Sequence, residues 1–406
     1  MSTYPDSTLG TEGSGYGLPG ATDRVALVYK IADRRLRKEH VDGMVFTPWI
    51  GKEGEMSPII TKTDLTKNKG EQIRMALLPK LDEYGKPGDL TVLQSEEVMD
   101  FSYQDVYVNQ LRHAIRTVGR ASDQRGLFSI IENARPALTS WLNQRKEAEF
   151  FRTVYYGWPA FIHCGTTYGG LNINSHIAKP CRYWYCMDEE NNAITYSATD
   201  ATYETSIETA EGTLANTPTD WFSPQALISM AAKMRQLNFP MIDFKGFTGY
   251  LCILHPNQVA QLQTHEKWFE ANITAGPRDE KGNAVFKGVG NAREVGCWGG
   301  FYIMESNKID SSNPSTLYTD STPIAGAAEA NVKRAICMGA NALAYAVADE
   351  PHFEVESIDY KNQTGVAVVT NFGIARADYT LDVSATATIT AQHTMVLSSF
   401  SPDAAV

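Results

Sequence analysis

His265-Glu266 begins like the helix of a zinc protease, in which two histidines four positions apart grip the metal and the glutamate between them activates water. The position that needs the second histidine is Phe269, so the ligand set fails. His163-Cys164-Gly165 sets a base beside a thiol. A catalytic cysteine and histidine ordinarily meet from distant segments, however, and adjacency alone assigns no nucleophile. Gly288 and Gly290 start a dinucleotide fingerprint, but Arg293 stands where its third glycine belongs. No Gly-Lys-Ser/Thr phosphate loop occurs. Asp188-Glu189-Glu190 beside Asn191-Asn192 offers hard oxygens to calcium, although a solvated turn is the simpler reading. Paired glycosidase carboxylates cannot be picked out along the chain. The sequons at Asn272 and Asn362 carry meaning only on a secretory route. We assign no catalytic residue, no cofactor and no metal ligand.

Bulk properties narrow the field further. The 406 residues are 43% hydrophobic and 20% charged, enough for a sizeable core in two or three domains. A formal net charge of −11 argues against a sequence-wide grip on nucleic acid or on anionic lipid. The densest basic run, Arg34-Arg35-Leu36-Arg37-Lys38, lies in an apolar-periodic segment and reads as a solvated helix face. Six cysteines (Cys164, Cys181, Cys186, Cys252, Cys297 and Cys337) are scattered without a Cys-x-x-Cys pair, as in a protein of a reducing cytoplasm. Met1–Gly20 has neither the basic nor the apolar region of a signal peptide. Ala335–Ala348 is broken by Asn341 and is too short to span a bilayer. The chain reads as soluble and cytoplasmic, with no membrane partner.

The elements point away from a self-contained enzyme. Ile73, Met75 and Leu77 alternate as in a half-buried strand, Asp82 to Asp89 crowds turn formers, and Phe101, Tyr103 and Tyr107 alternate on a returning strand. Two such strands are marginal alone in water, and ordering each residue costs about 1–2 kcal/mol. An arm spanning Ser57–Thr117 therefore needs a surface from elsewhere, such as another copy of the chain. Residues 1–22 read as disordered until bound, and Val25, Val28, Ala32 and Leu36 then fall at helical spacing behind Asp23. Ser122 or Asp123 can cap a long helix whose stripe is Leu127, Ile131, Ala134, Leu138, Trp141, Arg145 and Ala148, with Pro136 expected to kink it. Residues 155–220 lack a period and read as an insertion of loops rather than a core element.

Further on, Ser223-Pro224 starts an amphipathic helix, Tyr250–Leu254 is a buried strand, and His255-Pro256 leads a helix from Asn257 to Phe269. Phe301–Met304 is a strand, Ala335–Val347 a core segment, and Phe353–Tyr360 with Val366–Phe372 a hairpin-like pair. Val383–Leu397 ends the pattern as a strand. This order predicts an α+β fold with a projecting arm. Aromatics in the arm and loops (Trp49, Tyr84, Trp158, Tyr168, Tyr183, Trp184 and Tyr185) suit an interface, since such residues anchor interface cores.

Blocks of the chain resemble the major capsid proteins of tailed phages, in the branch related to phage N-four. They are Ser57-Pro58-Ile59-Ile60, Thr63-Asp64-Leu65-Thr66-Lys67, Gly70-Glu71-Gln72-Ile73, Gln110–Arg116 and Ser122-Asp123-Gln124-Arg125. The likeness returns at His255-Pro256-Asn257-Gln258, Phe286-Lys287-Gly288, Arg334-Ala335, Asp359-Tyr360, Thr364–Ala367 and Phe372-Gly373-Ile374. The resemblance implies the Hong Kong 97-type fold and a non-enzymatic shell protein that encloses double-stranded DNA.

It also implies a set of parts. Residues 1–50 would be the N-terminal arm and first helix, 51–118 the extended β-hairpin loop, 119–157 the spine helix of the peripheral domain, and 158–220 an insertion. Residues 221–345 would form the axial domain, 346–382 the peripheral strands, and 383–406 a C-terminal strand and tail. Implied partners are further copies in hexamers and pentamers, a separate scaffolding protein (no long removable segment precedes the arm), a portal and a decoration protein. We expect Tyr84, Lys86, Pro87, Arg112, Arg116 and Trp141 at subunit interfaces. The founding member of the fold joins subunits by lysine–asparagine bonds. Lys80 and Lys86 lie near the hairpin without matching that motif, so noncovalent overlap is expected. An encapsulin-like cargo compartment, or a cytoplasmic hydrolase using His163 and Cys164, are the alternatives.

Overall fold

The computed structural model describes residues 44–52, 54–66, 70, 72–77, 86–88, 102–120, 130–157, 181–187, 207, 210–244, 246–275, 294–309, 331–360, 362–380 and 389–402. The chain divides into two compact units. The first takes Met1–Gly43, Leu111–Gln144 and Pro351–Thr370, and the second takes the rest. The helix expected to start at Ser122 is described as Ile130–Tyr156, 27 residues with Pro136 inside it. Gly157, at φ 84°, follows its last residue and returns its N–H to the Thr153 carbonyl. The helix expected behind Asp23 lies outside the described residues.

The strands, in chain order, are β1 (Ile50–Lys52), β2 (Ile59–Lys62), β3 (Gln72–Leu77), β4 (Ser102–Tyr107), β5 (Asn109–Arg116), β6 (Trp184–Cys186), β7 (Ile242–Phe244) and β8 (Phe247–Leu254). They continue as β9 (Glu294–Trp298), β10 (Phe301–Glu305), β11 (Val332–Met338), β12 (Leu343–Ile358), β13 (Gln363–Arg376), β14 (Tyr379–Thr380), β15 (Ile389–Ala391) and β16 (Thr394–Phe400). In the first unit, the far part of β12, β13 and β5 pair in the order β12-β13-β5. The Thr117 N–H donates to the Thr364 carbonyl, and the Thr364 N–H to Thr117 Oγ1, which sets that register. Leu111, Ala134, Leu138, Val366 and Val368 form the interior of this unit.

The second unit is built on a seven-stranded sheet in the order β6-β16-β11-β8-β10-β9, with β7 paired to β8. β11 and β16 are buried along their whole length, and so is β8 from Gly249 onward. Tyr250–Leu254 of β8, buried on both faces, reads as an apolar run instead of an alternating pattern, whereas β11 and β16 also bury Lys333, Arg334, Thr394, Ser398 and Ser399. Helices Pro224–Gln236, Pro256–Thr264 and Glu266–Ala275 accompany this sheet. Ser223 caps the first by accepting from the Ala226 N–H, and Leu227, Met230, Ala231 and Met234 are its buried stripe. At the second, His255 Nδ1 accepts from the Asn257 N–H while Gln258 Oε1 accepts from the His255 N–H.

Several expectations change. The helix expected from Asn257 to Phe269 is two helices, broken where His265 turns extended. Residues 335–347 are two strands, β11 and the start of β12, joined by a turn with Asn341 at φ 57°. The loop region and the tail are also more central than their sequence suggested. Trp184–Cys186 and Thr394–Phe400 are buried neighbours in the seven-stranded sheet. Short strands whose partners lie some two hundred residues away carry no local period to betray them.

Candidate subunit interface

The projecting hairpin is anchored at its base. Ile73, Met75 and Val106 are buried with Ile60, Ala344, Ala346 and Ala375 in one apolar cluster. Small side chains on β12 and β13 allow this close approach. A Cβ added at Gly373 would sit 2.0 Å from the Tyr107 carbonyl oxygen, so only glycine lets these backbones meet. Tyr103 and Tyr107 share one face of the returning strand, as expected. Cross-strand pairs Ile73–Val106, Arg74–Asp105 and Ala76–Tyr103 put Val106 inward, with Tyr103 and Tyr107 on the other face beside Arg74. There Arg74 makes a bidentate pair with Asp105 at 2.7 and 2.9 Å and lies 4.2 Å from the centre of the Tyr103 ring. Its counterpart to buried Met75 is Gln104.

The expected interface residues are distributed as follows. Lys86 and Pro87 are exposed, next to Gly88 at φ 64°; Tyr84 lies outside the described residues. Arg112 and Arg116 are exposed on β5. Trp141 is half-buried and stacks on His113, with ring centres 4.5 Å apart. Large apolar groups also reach solvent. In the first unit these are Val118, Phe353, Val355, Ile358 and Tyr360; in the second they include Met56, Ile228, Met241 and Phe269. Asp359 and Tyr360 both hold left-handed backbone at φ 55° and 50°, which presents the Tyr360 ring fully to solvent at the end of the β12–β13 hairpin.

Of the motifs weighed for catalysis, the described residues include only His265, Glu266 and Phe269. His265 Nδ1 accepts from the Lys267 N–H at the start of a helix, and Phe269 is exposed. His163, Cys164, Asp188–Glu190, Gly288, Gly290 and Arg293 lie outside the described residues. Cys181 and Cys252 are buried, and burial pushes both thiols up, away from the reactive thiolate. Among the described residues no cluster of metal-ligating side chains occurs, and no helix is long and apolar enough to cross a membrane.

Buried charge, which sequence periodicity cannot reveal, stiffens the second unit. Glu147 accepts from the Val45 N–H and from Lys308 Nζ at 2.6 Å. Arg145 pairs with Glu149 one turn along the helix. Fully buried Arg376 holds Asp378 by two bonds of 2.8 and 2.7 Å and donates to the Val154 and Tyr155 carbonyls, so it ties the end of the helix to β13. Glu211 grips Arg334 by two bonds of 2.9 and 2.7 Å and accepts from Ser398 at 2.6 Å.

Lys146 lies on the same helix, 3.2 Å from the Tyr345 hydroxyl and 5.2 Å from the Phe372 ring centre. Burial lowers its amine from 10.5 to about 8, and burial raises the Tyr345 phenol to about 12. Above about pH 8 the folded chain has given up a proton that the unfolded chain keeps, so stability rises with pH in that window. Above about pH 10 the unfolded tyrosine ionises first and the trend reverses. We expect Lys146→Met to stabilise the fold by about 1 kcal/mol at pH 7, and that gain to shrink toward pH 10. Urea unfolding at the two pH values measures it.

The chain is similar to known shell proteins along nearly all its length. The family model described as phage capsid protein matches residues 23–402. The major capsid protein of Pseudomonas phage KPP25 is 21% identical over 326 residues, 78% of this chain and 81% of that one. Among solved structures, the capsid of Ralstonia phage GP4 aligns with a TM-score of 0.65 at 19% identity, over 98% of this chain and 100% of that one. The cyanophage Pam1 capsid aligns at 0.65 and 17% identity, over 92% and 96% of the two chains. The head of Helicobacter pylori bacteriophage KHP40 aligns at 0.61 and 13% identity, over 91% and 94%. An α+β fold with a base-anchored hairpin arm, matched from end to end in this way, is the Hong Kong 97-type fold of a tailed-phage major capsid protein, and the chain belongs to the phage capsid protein family.

Proposed function

We propose that many copies of this chain, arranged in hexamers and pentamers, build the icosahedral shell around the double-stranded DNA of a tailed phage. The observation that carries the reading is the hairpin β3–β4. Its base is buried in its own subunit at Ile73, Met75 and Val106, while Lys86 and Pro87 between its strands stand in solvent. In this reading residues 51–118 are the extended loop that overlaps a neighbour, 119–157 and 346–382 the peripheral domain, and 221–345 the axial domain. Pairing of Thr394–Phe400 with β11, and of Trp184–Cys186 with Thr394–Phe400 in turn, supports counting parts of 158–220 and 383–406 with the axial sheet. Tyr84, Lys86, Pro87, Arg112, Arg116 and Trp141 are the proposed contact residues, and residues 1–50 a further arm.

The role is structural and not catalytic. A net charge of −11 suits a shell that must hold DNA without neutralising its phosphates, since tight phosphate contacts would hinder packaging and release. Synthesis in the host cytoplasm, followed by assembly with a scaffolding protein and a portal, and with a decoration protein on the outside, completes the proposal.

Electron microscopy and light scattering on purified protein co-expressed with its virion partners test it. Closed shells of uniform diameter are expected, and persistent monomers would reject the reading. Genome-length DNA in native particles separates it from a cargo compartment. Replacing Tyr84–Gly88 with a short glycine linker is expected to leave the monomer fold intact and abolish shells. Normal shells from that variant would remove the loop from assembly.

A further inference from the structure

In the seven-stranded sheet, Cys337 of β11 is the direct cross-strand partner of Cys252 of β8. Their sulfurs are 3.6 Å apart, and the Cys337 thiol donates to Cys252 Sγ. The same row continues to Ile303 on β10 and to Met395 on β16. Residues paired in this way share one face of a sheet, so the two thiols sit between apolar neighbours. All four side chains are at most 1% exposed. The flanking pairs Ile253–Ile336 and Leu251–Met338 are closed to water as well.

Two free thiols in such a place can serve as small apolar side chains, as buried cysteines often do. Their direct opposition allows more. Opposed residues of an antiparallel pair have Cα atoms about 4.5–5.5 Å apart, inside the range of roughly 4.4–6.8 Å that a disulfide bridges. Rotation of the two side chains therefore suffices to bring the sulfurs to a bond of about 2.0 Å, and the strands need not part. Cys181 differs, since its sulfur lies against Gln392 and Thr394.

We propose that Cys252 and Cys337 are a latent disulfide, closed by hydrogen peroxide once the chain is outside a reducing cytoplasm. The first sulfur, as thiolate, attacks one peroxide oxygen. The O–O bond breaks, hydroxide leaves and a sulfenic acid remains. The second sulfur then attacks the sulfenic sulfur, forming the S–S bond and breaking S–O, and its proton leaves with the hydroxide as water. With the first thiol's proton counted, two thiols and one peroxide give one disulfide and two waters, and the sulfurs lose two electrons in all. Burial, reinforced by the Cys337 thiol, holds the Cys252 thiol up, so thiolate is scarce and the first step is slow. The second step is fast, because the partner is already in contact. That contact diverts the sulfenic acid from further oxidation to sulfinic acid. Positions 85 apart become tied, which removes chain entropy from the unfolded state. Both sulfurs belong to one subunit, so the bond goes beyond the shell reading; that reading supplies only the occasion, release from the host.

Peptide mapping by mass spectrometry tests it on the full, unsubstituted chain, assembled or not. The protein is treated with hydrogen peroxide until exposed Met56 is oxidised, unfolded in the presence of N-ethylmaleimide, and digested. The Cys252 peptide is expected joined to the Cys337 peptide, lighter by two hydrogens than the free pair and separated by reductant. Recovery of both cysteines as maleimide adducts overturns the assignment, and so does sulfinic acid at one with its partner free. Oxidation is also expected to raise Tm by about 5 °C, reversed by dithiothreitol. The variant C337S is expected to show neither the linked peptide nor the rise, and a rise that persists in it overturns the bond as its cause. Should C337S fail to fold, the linked peptide from the unsubstituted chain decides. Linked peptides from a chain that never forms shells remove the shell reading and leave this inference standing, whereas shells with both thiols free remove this inference alone.

Discussion

Replacing Gly373 with alanine is expected to destabilise the fold by about 3 kcal/mol. The added Cβ would lie 2.0 Å from the Tyr107 carbonyl oxygen, 2.8 Å from its carbonyl carbon and 3.2 Å from the Val108 Cα. All three are backbone atoms, so no side chain can rotate aside. The clash falls beside the cluster of Ile60, Ile73, Met75, Val106, Ala344, Ala346 and Ala375 that anchors the hairpin. Overpacking a core ordinarily costs about 1–3 kcal/mol, and a backbone obstacle puts this site at the upper end. That is a large part of a margin of about 5–15 kcal/mol. Denaturant unfolding of any soluble fraction reads the loss. A wild-type midpoint would show that β13 and the hairpin base can part at little cost.

Glu211→Ala is the second severe change, for an electrostatic reason. Arg334 is 4% exposed and donates to both carboxylate oxygens of Glu211, with its guanidinium over the Tyr155 and Trp184 rings. Removing the carboxylate leaves a buried cation without its bidentate partner, and leaves Ser398 Oγ without its acceptor. Breaking such a pair from one side costs about 3–5 kcal/mol. Replacing both ends, as in E211M/R334M, is expected to recover most of that loss, because apolar groups of similar volume carry no desolvation debt. Urea midpoints of the single and double variants measure the difference. Equal destabilisation by both would mean that packing, not charge, sets the cost.

What could be read from the sequence follows from the range of the interactions. The helix Pro224–Gln236 shows itself in Ser223, Pro224 and a stripe of Leu227, Met230, Ala231 and Met234, all within one short window. The strand Phe247–Leu254 shows itself as an apolar run. The alternation of the hairpin strands was legible, with Tyr103 and Tyr107 on one face, whereas the burial of Val106 on the other was not, since it depends on what packs there from β12 and β13. Glu211 and Arg334 are separated by 123 positions, and nothing near either residue announces the other.

The place of β16 has a consequence for timing. Thr394–Phe400 pairs with Val332–Met338 on one side and with Trp184–Cys186 on the other, although those neighbours precede it by about sixty and two hundred residues. On a ribosome the chain emerges in sequence order, so an unfinished copy carries an open slot between β6 and β11 until the last of these strands is released. Contacts of such long sequence separation also close slowly, because the loop entropy is lost before the pairing is gained. A shell protein must not polymerise on polysomes while its siblings are still being made. In this chain the central sheet is completed only after nearly every other described residue has been synthesised.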